Sequence, residues 1–313
     1  MRPSVLVGAA LALAMLASTT AAAQQRGSNR EREREFQEAE SRVDTTFAFS
    51  RTGIVDLTQV SGDIVVTAWD RAEARVRAYA ERGRVLTDLS SSRLSLEVES
   101  IRGRVGDTRF EVSVPVGVRV IARSRSGDVS VRGTKGAVQA KSQSGDVEVM
   151  DATDRIDIES MSGDVRASQV NGEFRAHSLS GTIEVRNVTG DIRAETTSGD
   201  VSLLGATSRN VIVTTVSGEI EYDGTIDANG RYEFKAHSGN IRLEIPEATA
   251  AQFSVETFSG SLDTEFSLTL QPGQRTTSRP RRYEFTLGNG TARVTAESFS
   301  GDIVLVRRAR SGR

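Results

Sequence analysis

Ser-Gly followed by a polar residue recurs along this 313-residue chain, with the serines at 61, 126, 144, 162, 180, 198, 217, 238, 259 and 300. From Ser126 onward the spacings are 18, 18, 18, 18, 19, 21, 21 and 41 residues. A fixed period near 20 is the mark of a solenoid, in which each repeat buries its apolar face only by stacking on its neighbours. Counted this way, the 41-residue step is about two coils and the 65-residue gap between Ser61 and Ser126 about three.

The residues around each Ser-Gly alternate between apolar and polar. Two, four and six places before the serine stand Ser142, Ala140 and Val138 in one coil, Ser160, Ile158 and Ile156 in the next, then Ser178, Ala176 and Phe174. Three and five places after it stand Val147 and Val149, then Val165 and Ala167, then Ile183 and Val185. Period-two alternation on both sides of a turn predicts two short strands per coil with the apolar residues inward. Glycine in the turn supplies a positive φ, and Asp or Asn hydrogen-bonds the local backbone. A three-sided hexapeptide helix also repeats in 18 residues, but six-residue steps from Val147 land on Thr153 and Glu159. The fold class expected is therefore all-β, a single-chain β-solenoid with flattened coils of about 18–21 residues, a β-helix taken as right-handed on the prevalence of that hand. Thin coils filled by Val, Ile, Ala, Ser and Thr account for an aromatic content of only 5%.

The ends depart from the repeat. Residues 1–23 carry Arg2, an uncharged apolar run from Val5 to Ala17, and Ala21-Ala22-Ala23. This is the pattern of a cleaved signal peptide, and the run is shorter than the ~20 residues that a spanning helix needs. The expectation is export to the periplasm or cell surface, with no transmembrane segment in the mature chain. Residues 24–42 alternate Arg and Glu and read as a charged linker. The solenoid domain is placed at 43–306. Within it, 43–117 is an irregular N-terminal part that caps the first open edge, 118–262 holds the regular coils, and 263–306 carries a C-terminal insertion turning at Pro272-Gly273. Residues 307–313 read as a frayed basic tail.

From the opening Val60-Ser61-Gly62-Asp63-Ile64, through Val112-Ser-Val-Pro115 and the serial Ser-Gly-Asp-Val strands, to Gly288-Asn-Gly and Ser300-Gly-Asp-Ile303, the chain resembles a bacterial β-strand-repeat family of unknown function, the putative-adhesin domains. The resemblance spans roughly residues 43–306. It implies an exported or surface-associated β-helical domain, and it brings no catalytic residues.

The chemistry on offer is narrow. With no cysteine, a disulfide framework, a Cys-based zinc site and a Cys nucleophile are excluded. A net charge of −2 gives no pull toward nucleic acid. His177 and His237 lie three coils apart, about 14 Å at the stacking distance, too far to share a metal. The residue two places after each serine forms an acidic column containing Asp63, Asp128, Asp146, Asp164, Asp200 and Asp302. Stacked carboxylates repel one another and can favour a cation, so Asp128, Asp146 and Asp164 are the candidate cation site; the alternative is turn-forming Asp screened by solvent. Acid pairs for glycoside cleavage, such as Asp157 with Glu159 or Glu219 with Glu221, are numerous, and none is singled out. The expected function is a non-enzymatic, adhesin-like interaction or structural role at the cell envelope, without a cofactor, with a surface protein or glycan as partner. The alternatives are an envelope-stress accessory and a β-helical carbohydrate-active enzyme.

Overall fold

The computed structural model of the chain describes residues 41–100, 106–267 and 280–308. The signal segment, residues 24–40 of the linker, the Pro272-Gly273 turn and the tail beyond Arg308 lie outside the described residues. Among the described residues there are 23 strands and no helix, joined into one hydrogen-bonded sheet that winds as a β-solenoid.

One coil explains the rest. The strand Ile156–Ser162 turns at Gly163-Asp164 into Val165–Asn171, and Gly172-Glu173 turns the chain into Phe174–Ser180. Ile156 stacks between Val138 and Phe174, and Val165 between Val147 and Ile183, in parallel register with 18-residue steps. The alternation read from the sequence is realised: Ile156, Ile158, Ser160, Val165 and Ala167 are all buried. Each coil adds a single layer to the core, so β-branched and small side chains fill it.

The second strand carries a bend that strict alternation hides. Gln169 takes a left-handed conformation (φ 54°), as do Asp151 (52°) and Asn187 (53°), each 18 residues apart. After the bend, Ala152, Val170 and Val188 return to the core. Residues with short polar side chains tolerate this region best.

The order of coils in space is not their order in the sequence. Ser61 is the direct register partner of Ser126, not a position three coils away. The strands between them either stack outside the Ser61 coil or pair antiparallel beyond it. Arg93–Glu99 and Thr108–Pro115 run parallel to its two halves, while Ser41–Ala48 and Glu73–Ala80 extend the sheet antiparallel. At the other end, Ser300 pairs with both Ser238 and Ser259, so the last coil in sequence lies between them. The antiparallel strand Arg281–Leu287 closes that end, with Phe285 stacked on Phe253 at 5.1 Å. Arg307 closes the strand Ile303–Arg307 instead of opening the tail, and its backbone N–H donates to Glu265 Oε2 at 2.9 Å.

The longer coil from Ile220 to Ser238 is filled by aromatic bulk. Tyr222, Tyr232 and Phe234 are fully buried, and the Tyr222 ring contacts both of the others. The Tyr232 hydroxyl donates to the Ser208 carbonyl at 2.5 Å and accepts from the Asp227 N–H at 2.8 Å, and the Tyr222 hydroxyl donates to the Thr225 carbonyl at 2.8 Å. Burial pushes both hydroxyls up, so they remain neutral donors.

Candidate functional site

The Ser-Gly-Asp turns line up along one edge of the solenoid, and three columns of side chains define its surface. The innermost column is structural. Ser298 Oγ donates to the Gly239 carbonyl at 3.0 Å and Thr215 Oγ1 to the Gly199 carbonyl at 3.2 Å, so in these coils the small buried residue two places before the serine satisfies a turn oxygen of a neighbouring coil, while Ser160 Oγ bonds its own turn at the Gly163 carbonyl (3.3 Å).

The acidic column forms a hydrogen-bonded ladder. Asp128 Oδ1 accepts the Asp146 N–H at 2.9 Å, Asp146 Oδ1 accepts the Asp164 N–H at 2.9 Å, and Asp164 Oδ1 accepts the Thr182 N–H at 3.0 Å. Asp200 reaches Glu219 N–H in the same way at 2.8 Å, and Asn240 takes over the role toward Asp302 at 2.9 Å. The guanidinium of Arg166 spans the remaining oxygens of Asp146 (2.6 Å) and Asp164 (2.7 Å). The candidate cation trio thus already has backbone donors and a fixed cation against it. Among the described residues, no group of three or more His, Cys, Asp or Glu side chains is gathered as a metal site.

The Arg166 hydrogen bond holds the Asp146 carboxyl below its ordinary value of 3.8. A lowered folded-state pKa adds stability that is complete above the unfolded value and is lost as pH falls through the folded one. The difference in melting temperature between the native chain and Asp146→Asn is therefore expected to be largest near neutrality. It should shrink as pH drops below about 4. Thermal unfolding at a series of pH values checks this, and a difference that grew on acidification would contradict it.

The outermost column stands one place before each serine, and alternation alone assigns it to the polar surface. Instead it carries Met161, Leu179, Val216, His237, Phe299 and Phe258 in spatial order, with Thr197 between Leu179 and Val216. Met161 is 51% exposed, Leu179 47%, Val216 44%, Phe299 50% and Phe258 39%. The rings at its C-terminal end stack face to face, Phe299 on His237 at 5.0 Å and on Phe258 at 4.8 Å. Beside them lies a groove of about 400 Å³ whose lining includes Val216, Lys235, Glu256, Pro280 and Glu297. Sequence reasoning missed this row because Arg125 and Gln143, which follow Val60 in it, are polar, and because Phe258 and Phe299 are 41 residues apart. A tally of that one position down all coils would have found it.

His177 is exposed on a different column, its Nδ1 4.0 Å from Glu195 Oε2. Of the acid pairs, Glu159 binds Lys141 Nζ at 2.6 Å, while Glu219 and Glu221 accept from Asn240 Nδ2 (3.1 Å) and Ser202 Oγ (3.2 Å). A larger groove of about 600 Å³ lies on the antiparallel N-terminal sheet, lined by Arg42, Asp44, Arg77, Tyr79, Arg109 and Glu111. Its charges are cross-linked, Arg109 to Glu111 at 2.9 Å and Arg77 to Glu111 at 3.7 Å.

The Toastrack DUF4097 family model matches residues 87–191 and again 172–306. The chain belongs to this family. The two Toastrack matches overlap across one coil, as a one-dimensional repeat allows. Three solved structures are similar. A putative adhesin from Bacteroides fragilis is 14% identical, covering 86% of this chain and 99% of that one, with a TM-score of 0.39. A putative lipid binding protein from Parabacteroides distasonis is 12% identical, covering 85% and 97%, at 0.38. A putative cell adhesion protein from Clostridium sporogenes is 7% identical, covering 85% and 100%, at 0.25. Likenesses at these scores carry no part of the functional argument. Comparison with curated proteins gave no match. Among the described residues, no helix is long and apolar enough to cross a membrane.

Proposed function

We propose that this Toastrack protein is exported, loses residues 1–23, and serves at the cell envelope as a non-enzymatic, adhesin-like interaction protein. The observation that carries this reading is the exposed apolar row. Soluble surfaces rarely present a contiguous apolar patch of this kind unless it is a binding site. In the same reading, the Asp128, Asp146 and Asp164 ladder is a strut that holds the turns in register. Hydrogen bonds from Arg166, from Asn229 and Lys235, and from Ser261 hold Asp146, Asp227, Glu233 and Asp302 below their ordinary values, as charged groups of the surface.

The test is genetic. Deleting the gene is expected to reduce attachment of the producing cells, and the native gene should restore it. A Phe258→Ser, Phe299→Ser double variant should not, although its folding is unchanged by circular dichroism. Equal attachment in all strains would overturn the reading. Amino-terminal sequencing of the secreted chain, expected to begin at Gln24, tests export independently.

A further inference from the structure

We infer that the apolar row docks a cationic amphipathic helix of a partner protein, an inference that rests on the interaction reading above. The charge around the row argues for it first. On one flank, three places before the serine, stand Glu159, Glu195, Glu297 and Glu256; on the other, two places after it, stand Asp146, Asp164, Asp200, Glu219 and Asp302. Within these two columns, from the Ser144 coil onward, only Lys141 and Lys235 oppose them. Arg166, Arg193 and Arg282 reach in from neighbouring positions to Asp146 and Asp164, to Glu195 and to Glu256. The four Glu of the first flank are thus matched by Lys141, Lys235, Arg193 and Arg282, whereas the second flank sets five acids against Arg166, so this edge is acidic along one side of the apolar strip. Complementary charge sets orientation and suppresses wrong partners.

The same features exclude other occupants. A second copy would have to bury more surface than the row supplies. Five half-exposed side chains offer roughly 400–500 Å², against about 800 Å² per partner in a stable interface. An anionic membrane would be repelled by the flanking carboxylates. Sugar stacking needs bare ring faces, and the middle ring, Phe299, is covered on one face by Phe258 and on the other by His237.

Spacing selects the helix. Rungs of parallel strands repeat every ~4.8 Å. A helix brings one side back every 5.4 Å, whereas an extended chain does so only every ~6.7 Å. From Met161 to Phe258 the row spans six rung steps, about 29 Å, matched by a helix of about 19 residues.

The probe is a synthetic 20-residue peptide with leucines on one helical stripe and lysines on its flanks, titrated by calorimetry onto the full chain. Expected results are saturable binding, about tenfold weakening by Phe299→Ser or Phe258→Ser, and a reduced salt dependence in Glu297→Gln, Glu219→Gln. Matching unfolding curves must accompany each variant. A Leu-scrambled peptide, or one with Glu in place of Lys, should bind at least tenfold more weakly. Equal binding of all peptides, unchanged affinity in the Phe variants, binding of anionic phosphatidylglycerol vesicles in place of the peptide, or a dimer by light scattering that Phe299→Ser dissolves would each overturn the proposal. If the Phe variants lose attachment while the peptide fails to bind, the partner class falls and the interaction reading stands. If the peptide binds as expected while attachment is indifferent to the variants, the interaction reading falls.

Discussion

Gly163→Ala is expected to cost about 3–5 kcal/mol, the sum of backbone strain and overpacking in a closely packed turn. Gly163 has φ +132°, a region closed to side chains, and a Cβ there would stand 2.3 Å from the Gly145 carbonyl oxygen of the adjacent coil. That oxygen belongs to the backbone, so no side-chain rotation relieves the clash. Gly133 is the informative control. Its φ is +77° and its Cβ would meet only Ala68 atoms at 3.7 Å, in a column that already accepts Asp151, Gln169 and Asn187. Gly133→Asn should therefore change stability by less than about 1 kcal/mol. Denaturant unfolding of the two variants beside the native chain checks both values. A Gly163→Ala chain within 1 kcal/mol of the native would show that the turn glycines are not confined as described.

Removing residues 291–313 is expected to unfold the C-terminal end well beyond the deleted part. In a stack ordered like the sequence, the last coil is terminal, and its loss removes one interface. Here Ala292–Ser300 lies between Tyr232–Ser238 and Ala251–Ser259, and Ile303–Arg307 lies between Ile241–Ile245 and Leu262–Thr264. Deletion removes two interfaces at once and strands residues 251–287, which keep only the antiparallel pairing of Ala251–Ser259 with Arg281–Leu287. Amide exchange should show lost protection in the strands Ala251–Ser259, Leu262–Thr264 and Arg281–Leu287, with the strands of the coils up to Ile245 still protected, and limited proteolysis should cut after Ile245. Retained protection at Phe253 and Val255 would mean that the orphaned coil can re-dock on Tyr232–Ser238.

The candidate site divides along the same line. The acidic column was legible from its spacing. Whether its carboxylates face a cation or a backbone donor depends on where the next coil's N–H falls. The Asp146 and Asp164 oxygens answer that only in three dimensions, through the N–H of Asp164, the N–H of Thr182 and the Arg166 guanidinium. The left-handed column at Asp151, Gln169 and Asn187 was hidden because three different side chains share one conformation.

The sequence by itself determined the coil: its 18–21-residue length, its Ser-Gly turn, and which of Val138, Ile156 and Phe174 faces inward. Side-chain alternation in a strand is local, and stacking in register repeats it. Only the tertiary structure decided the order of the coils at the ends. Every coil offers the same row of backbone donors and acceptors, so hydrogen bonding alone does not choose which neighbour a coil takes, and a count of intervening residues says nothing of the edge to which they return. That choice places Ser61 against Ser126 and Ser300 between Ser238 and Ser259, and so brings Phe258, Phe299 and His237 from three separate stretches into one stacked row on the surface.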